Sequence, residues 1–523
     1  MTEHLRISSF TTRLLACVAL ISLSACDDAS KVDPSQQIGA DPKLPPPESA
    51  LLPGMKIAEV VGWKDGETPV VPEDLTVSAY ARDLANPRTV HTLPNGDVLV
   101  VQGRGPESEP VSRPKDFIRG WIMSIAHGGG GKQKESNLIT LLRDTDRDGK
   151  VDERHDLLTG LNSPFGVAWI NDTLYVAATD AVLTYPYQLG QTEIQAAPEI
   201  LTPLPGGPIN HHWTKDLALS PDGQTLYVSV GSNSNIVENG IEAEKGRAAI
   251  WAVDAETGAS RVYASGLRNP NGLSINPETE ALWTVVNERD ELGPNLVPDY
   301  MTSVEEGGFY GWPWSYYGDH VDERVYPRRP DMVKKAITPD YALSSHVAPL
   351  GMTFSQGSAL PDDYANGAFV GEHGSWNRDD FTGYKVRYIP FADGKPTGKA
   401  KDVVTGFIEG DQAYGRPVGV GIDGTGALLI ADDAGNTVWR VAAADGTILS
   451  QPIGTDQMPP DSAVAAEAAD NGTAPETQGQ PSLSTDEQLT GQNPEQSKPK
   501  ALPSQTEIAP AIKPSGTIED TDQ

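Results

Sequence analysis

The sequence predicts an all-β fold, a six-bladed β-propeller, and three observations carry that reading. One turn phrase recurs six times at intervals of several tens of residues, which means a radial array of similar units. Short β-rich runs alternate with Gly and Pro, of which the chain has 52 and 43, and this punctuation argues against a helical or doubly wound fold. Segments with helical periodicity are scarce.

The copies run in order. Asn86-Pro87-Arg88 leads to Val101, Ser163-Pro164-Phe165-Gly166 to Ala177, and His212-Trp213 to Gly231. Asn269-Pro270-Asn271-Gly272 then leads to Val286, Ala348-Pro349-Leu350-Gly351 to Gly371, and Arg416-Pro417-Val418-Gly419 to Ala431. In each, an inner strand carries small residues where the units crowd the axis, and a polar turn such as Pro94-Asn95-Gly96-Asp97 or Pro221-Asp222-Gly223 reverses the chain. An apolar second strand follows, as in Leu226-Tyr227-Val228-Ser229-Val230. Such a ring gathers loops at a central channel mouth, so functional residues are expected just before or at the inner strands. Propellers run long as one cooperative unit, which places a single ring over 56–455 of the 523 residues.

The ends read differently. Arg6 and Arg13 precede the apolar run Leu14-Leu15-Ala16-Cys17-Val18-Ala19-Leu20-Ile21, too short to span a bilayer but suited to a signal peptide over 1–25. Leu23-Ser24-Ala25-Cys26 resembles a bacterial lipoprotein box, which implies cleavage before Cys26, acylation of its thiol and an exported chain anchored by lipid at the periplasmic face of a membrane. Cys17 leaves with the signal, so no disulfide is expected in the mature chain. The stretch 26–55 is Pro-rich and reads as a flexible tether. Residues 456–523 contain no aromatic residue and only Lys498, Lys500 and Lys513 as basic ones, the composition of a disordered acidic tail.

The chain carries 72 acids against 40 bases, a net charge of −32. That balance repels nucleic acid, and no basic stripe offsets it. A cationic partner such as a cytochrome would be attracted.

Four loops could do chemistry. His212, in Asn210-His211-His212-Trp213, lies before a strand on the channel side, where an imidazole can serve as general base, as a metal ligand or as a structural group bonded to backbone. Arg268 and Asn269 open the fourth unit in the same register and can either pair with oxygens of a planar anionic ligand or brace neighbouring units. The oxygen-rich loop Asn287-Glu288-Arg289-Asp290-Glu291 is a candidate hard-cation site, as is Asp144-Thr145-Asp146-Arg147-Asp148-Gly149-Lys150-Val151-Asp152. The latter has His155 where an EF-type loop has its bidentate Glu, so it reads first as a polar hairpin.

Several longer stretches together resemble the sorbosone dehydrogenase family, within the wider group of soluble quinoprotein sugar dehydrogenases. They are Leu282-Trp283-Thr284-Val285-Val286-Asn287-Glu288-Arg289-Asp290-Glu291-Leu292, Gly308-Phe309-Tyr310-Gly311-Trp312-Pro313, Ser344-Ser345-His346-Val347-Ala348-Pro349 and Gly374-Ser375-Trp376-Asn377-Arg378. The resemblance covers roughly Leu75 to Val441. It implies a six-bladed propeller that binds pyrroloquinoline quinone and calcium and oxidises a sugar or aldehyde. Carried over by position, it implies His212 as catalytic base, Arg268, Asn269, His346 and Arg416 as cofactor contacts, and the backbone carbonyls of Glu288 and Arg289 as calcium ligands. Against the better-known glucose dehydrogenases, the chain has His211 where they carry an acid, Glu288-Arg289 where they carry Gly-Pro, and Ser344 where they place an aromatic over the cofactor.

The reading is a lipid-anchored dehydrogenase of an aldose or ketoaldose, sorbosone-like, that passes electrons to a separate acceptor, a cytochrome or a quinone. No Cys-x-x-Cys-His haem motif exists in the chain. A calcium-dependent sugar lactonase and a cofactor-free binding propeller are the alternatives on the same fold.

Overall fold

The computed structural model describes residues 32–48, 55–106 and 136–452, and the regular secondary structure in them is nearly all β. Six antiparallel sheets of at least four strands follow one another among them. Their first strands are Pro87–Thr92, Val167–Ile170, Leu217–Leu219, Pro270–Ile275, Pro349–Phe354 and Pro417–Ile422, so each expected copy opens a sheet. The first strands of successive sheets lie side by side, and that of the sixth lies beside that of the first.

Closure of the ring uses the N-terminal end of the domain. The sixth sheet takes Pro417–Ile422, Leu428–Asp432 and Thr437–Ala443 from the C-terminal part and its outer strand, Leu75–Ala81, from the N-terminal part. Leu75 pairs with Ala443 and Val77 with Val441, so the two ends of the ring are joined by backbone hydrogen bonds that neither could make alone.

The Gly of the repeated phrase has a steric cause. A Cβ on Gly351 would lie 2.3 Å from the Val418 carbonyl oxygen, and one on Gly419 would lie 2.5 Å from that of Arg88. Each inner strand thus lets the next sheet's backbone approach where a side chain would hold it off. The second strands sit between neighbouring sheets, which is why Val98, Leu99, Val100 and Val101 are all buried instead of alternating. The turns behave as their residues demand: Leu93 N–H donates to the Asp97 carbonyl, and Arg143 clamps the buried Asp97 carboxylate at 2.7 and 2.8 Å.

The third inner strand begins only at Leu217, because residues 210–216 are held in a loop by side-chain bonds instead of a ladder. The stretch 26–55 is not a flexible tether throughout. Ile38–Gly39 pairs with Leu343 and Ala342 on the outer edge of the fourth sheet, and Gln37 is buried with its Nε2 donating to the Asn295 carbonyl. An exposed sheet edge offers unpaired N–H and C=O groups, and this segment satisfies them. Asp144–Asp152 does form the expected hairpin turn between Leu138–Arg143 and Glu153–Leu158, and it brings one oxygen each of Asp144, Asp146 and Asp152 within 4.8 Å of one another. The expected signal peptide over 1–25, Cys26 and the expected tail over 456–523 lie outside the described residues.

Candidate active site

The residues singled out from the sequence lie on one end of the sheets, just before first strands or just after second strands. His212 is half-buried, and its Nδ1 lies 2.9 Å from Ser232 Oγ and 3.0 Å from the Ser232 carbonyl oxygen. Ser232 follows the second strand of the same sheet, and its N–H donates to the Arg268 carbonyl at 2.7 Å. The base candidate and the next sheet's Arg-Asn pair are therefore wired through one residue.

Arg268 is buried, and all its N–H groups point at protein oxygens. Nε donates to the Asn235 carbonyl, Nη1 to the Asn287 and Glu288 carbonyls, and Nη2 to Asn235 Oδ1 and the Asp290 carboxylate. Asn269 is buried too, and its Oδ1 has no hydrogen-bond partner among the described residues. A buried amide oxygen left unsatisfied costs about 1–3 kcal/mol, the signature of a group that waits for a donor.

Glu288 and Arg289 are structural in this geometry. Arg289 is fully buried, with Nε on the Glu288 carboxylate at 3.0 Å, Nη1 on Asp322 at 3.1 Å and on the Pro313 carbonyl, and Nη2 on the Ser315 carbonyl. Burial would raise the Asp322 carboxyl, but Arg324 and Arg289 together hold it down at about 2. The Glu288 carbonyl accepts from Arg268 at 2.7 Å, so a calcium ion bound at that oxygen would meet a guanidinium already in place. The donor set as folded does not fit a calcium there.

His346 lies on a strained segment. Ser344, His346 and Ala348 all have positive φ, at 85°, 59° and 54°, values that non-Gly residues rarely adopt. The register opposite Asp299 and Tyr300 shifts at the same place. His346 Nε2 donates to the Gly293 carbonyl at 3.2 Å and Nδ1 lies 3.5 Å from Asp290.

Across the mouth, Arg416 keeps its guanidinium half-exposed. Nε and Nη2 donate to the His373 and Gly374 carbonyls, the Tyr384 ring lies beneath it, and Asp432 accepts its backbone N–H. Sequence reasoning missed the next group. Asp433 pairs with Arg88 at 2.8 Å and with His373 Nε2 at 3.0 Å, and Arg88 in turn lies over the Trp213 ring beside His212. Burial and the neighbouring Arg416 push His373 down to about 4, so its ring is neutral at pH 7 and Arg88 supplies the charge that balances Asp433. Arg88 follows Pro87 in the first copy, whereas Arg416 precedes Pro417 in the sixth, so the repeated phrase gave no register by which to find it.

Two guanidiniums, an unsatisfied buried amide oxygen and an imidazole thus converge at one mouth. This donor set suits a planar, multiply anionic ligand with carbonyl and ring N–H edges, and pyrroloquinoline quinone has that chemistry.

Residues 171–375 match the glucose/sorbosone dehydrogenase family, and residues 331–444 match a TrAA12-like family. The first match identifies residues 171–375 as a glucose/sorbosone dehydrogenase family region. His212, Arg268, Asn269, Glu288, Arg289 and His346 all fall within the first match and Arg416 within the second. An uncharacterized protein of Borreliella burgdorferi is 29% identical over 294 residues, 54% of this chain and 76% of that one. A pyrroloquinoline quinone-dependent pyranose dehydrogenase of Coprinopsis cinerea is 25% identical over 222 residues, 34% of this chain but only 30% of that protein. The solved holo form of the quinone domain of pyranose dehydrogenase from Coprinopsis cinerea has a TM-score of 0.58 at 19% identity, covering 74% of this chain and all of that one. That likeness concerns the fold, a propeller of the kind found in quinone-dependent dehydrogenases.

Proposed function

We propose that this protein is a glucose/sorbosone dehydrogenase family member, an exported, lipid-anchored dehydrogenase that oxidises an aldose or ketoaldose, with its six sheets serving as the blades of a six-bladed propeller around the site. The observation that carries the reading is the convergence of Arg88, Arg416, Asn269 and His212 at one mouth. Supporting it, the Coprinopsis relative is a quinone-dependent pyranose dehydrogenase.

Pyrroloquinoline quinone held at this mouth would supply a two-electron hydride acceptor for the substrate C–H bond. Arg416 and Arg88 would hold its carboxylates, Asn269 Oδ1 would offer an acceptor to it, and His346 would border it from the strained segment. The His212 imidazole takes the substrate hydroxyl proton as C–H electrons leave, so that a sugar hemiacetal becomes a lactone or an aldehyde hydrate an acid. Arg268 acts one step removed, holding Asn235, Asp290 and the Asn287-Glu288 carbonyls so that Asn269 keeps its place. Electrons then pass to a separate acceptor, and the excess of acids favours a cationic one such as a cytochrome.

The test is His212→Ala in quinone-loaded protein. Cofactor absorption should persist while sugar-dependent dye reduction falls by about 10²–10⁴, with His211→Ala milder. Near-native turnover in both variants would remove His212 from the mechanism.

A further inference from the structure

We propose that Ser232 is a positioning residue for His212, holding the neutral imidazole in the tautomer that carries its hydrogen on Nδ1, so that Nε2 is the basic nitrogen. The proposal rests on the reading of His212 as base, but the geometry behind it does not. Two oxygens of Ser232 face Nδ1, the carbonyl at 3.0 Å and the hydroxyl at 2.9 Å.

A carbonyl oxygen can only accept. The hydroxyl has one proton, and that proton goes to the Ser234 carbonyl at 2.6 Å, which also can only accept. Toward His212 the hydroxyl therefore presents a lone pair. Two acceptors converge on Nδ1, and only a hydrogen on that nitrogen satisfies them. A neutral imidazole has one N–H, so Nε2 holds the lone pair. The opposite tautomer would turn the Nδ1 lone pair on the carbonyl oxygen, and the hydroxyl could meet it only by giving up its bond to the Ser234 carbonyl.

The seat is rigid because every neighbour of Ser232 is tied. Its own N–H reaches the Arg268 carbonyl, Asn233 N–H and Ser234 Oγ both reach the buried Glu244 carboxylate, and Asn233 Nδ2 donates to the Ile209 carbonyl on the His212 loop. Gly231 completes it: a Cβ there would lie 2.5 Å from His212 Cβ, so the glycine is what lets the histidine sit against the strand end. The same seat suits the product of proton uptake, since an imidazolium keeps its Nδ1–H on the same two oxygens and nothing need reorganise.

The experiment uses full-length, quinone-loaded protein labelled with nitrogen-15 in histidine, with His212→Gln identifying the relevant signals. At a pH where the ring is neutral, the proton is expected on Nδ1. In Ser232→Ala the Nε2–H form should become populated and kcat should fall about fivefold, the loss of one net hydrogen bond, at unchanged KM and unchanged quinone titration. Ser232→Thr, which keeps a hydroxyl, should restore both. A proton on Nε2 in the native protein, or an unaltered tautomer ratio in Ser232→Ala, overturns the proposal. A shifted tautomer in protein that reduces no dye with any sugar would leave the seat standing and defeat the dehydrogenase reading instead.

Discussion

Arg289→Met tests whether the Glu288-Arg289 loop is architecture or a metal cradle. The native guanidinium has no exposed surface and compensates two carboxylates that are equally buried, those of Glu288 and Asp322, while also closing the carbonyls of Pro313 and Ser315. Methionine fills a similar volume but leaves both carboxylates without that cation. Removing one partner of a buried ion pair costs about 3–5 kcal/mol, because the remaining charge stays desolvated. Unfolding entropy of about 2.1 cal/mol/K per residue over roughly 400 residues converts about 4 kcal/mol into a fall of about 5 °C in melting temperature. Arg289→Lys should recover part of this, since an ammonium restores charge without the fork that reaches four oxygens. The assay is thermal unfolding followed by tryptophan fluorescence, with and without calcium. A melting temperature within about 1 °C of the native one in Arg289→Met would refute the argument, and strong stabilisation of the native protein by calcium that Arg289→Met abolishes would return the loop to metal binding.

Other outcomes follow from the same geometry. Arg416→Ala should weaken quinone binding by about 1.5–3 kcal/mol in a spectroscopic titration while leaving the melting temperature near native, since its two listeners are carbonyls and its backbone N–H stays on Asp432. Asp322, held down at about 2 against an ordinary 3.8, contributes stability that is present above pH 4 and lost as pH falls toward 2. That is about 2 kcal/mol, so the urea midpoints of native protein and Asp322→Asn should converge on acidification through this window. Cys26→Ser should move the protein from the membrane to the soluble fraction of cells, because acyl chains supply about 0.8 kcal/mol per buried CH₂; persistent membrane association would defeat the lipoprotein reading.

Much of the ring was legible because its repeat is local chemistry. A Pro or polar residue, an apolar second strand and, in four of the six, a Gly that clears the neighbouring backbone each act within a few residues, and the six phrases lead into six sheets. The end of the sheets that carries the site followed from the same register, since His212, Asn269, His346 and Arg416 all sit just ahead of first strands.

What folding alone decided are pairings between distant segments. Leu75–Ala81 completes the sixth sheet and Ile38–Gly39 edges the fourth because backbone groups there need partners, and nothing in a short Pro-rich stretch says which edge it will meet. Arg88, His373 and Asp433 become one cluster only when the sixth sheet returns to the first, across more than three hundred residues of chain. The reading of Arg289 changed for the same reason: from the sequence its loop is a candidate hard-cation site, whereas in the fold its side chain is a buried cation whose partners, Asp322, Pro313 and Ser315, arrive from a later insertion. Composition and spacing determine which residues stand at a mouth. Which of them face a ligand and which are consumed in holding the mouth together depends on long-range hydrogen bonds, whose partners only the closed ring brings within reach.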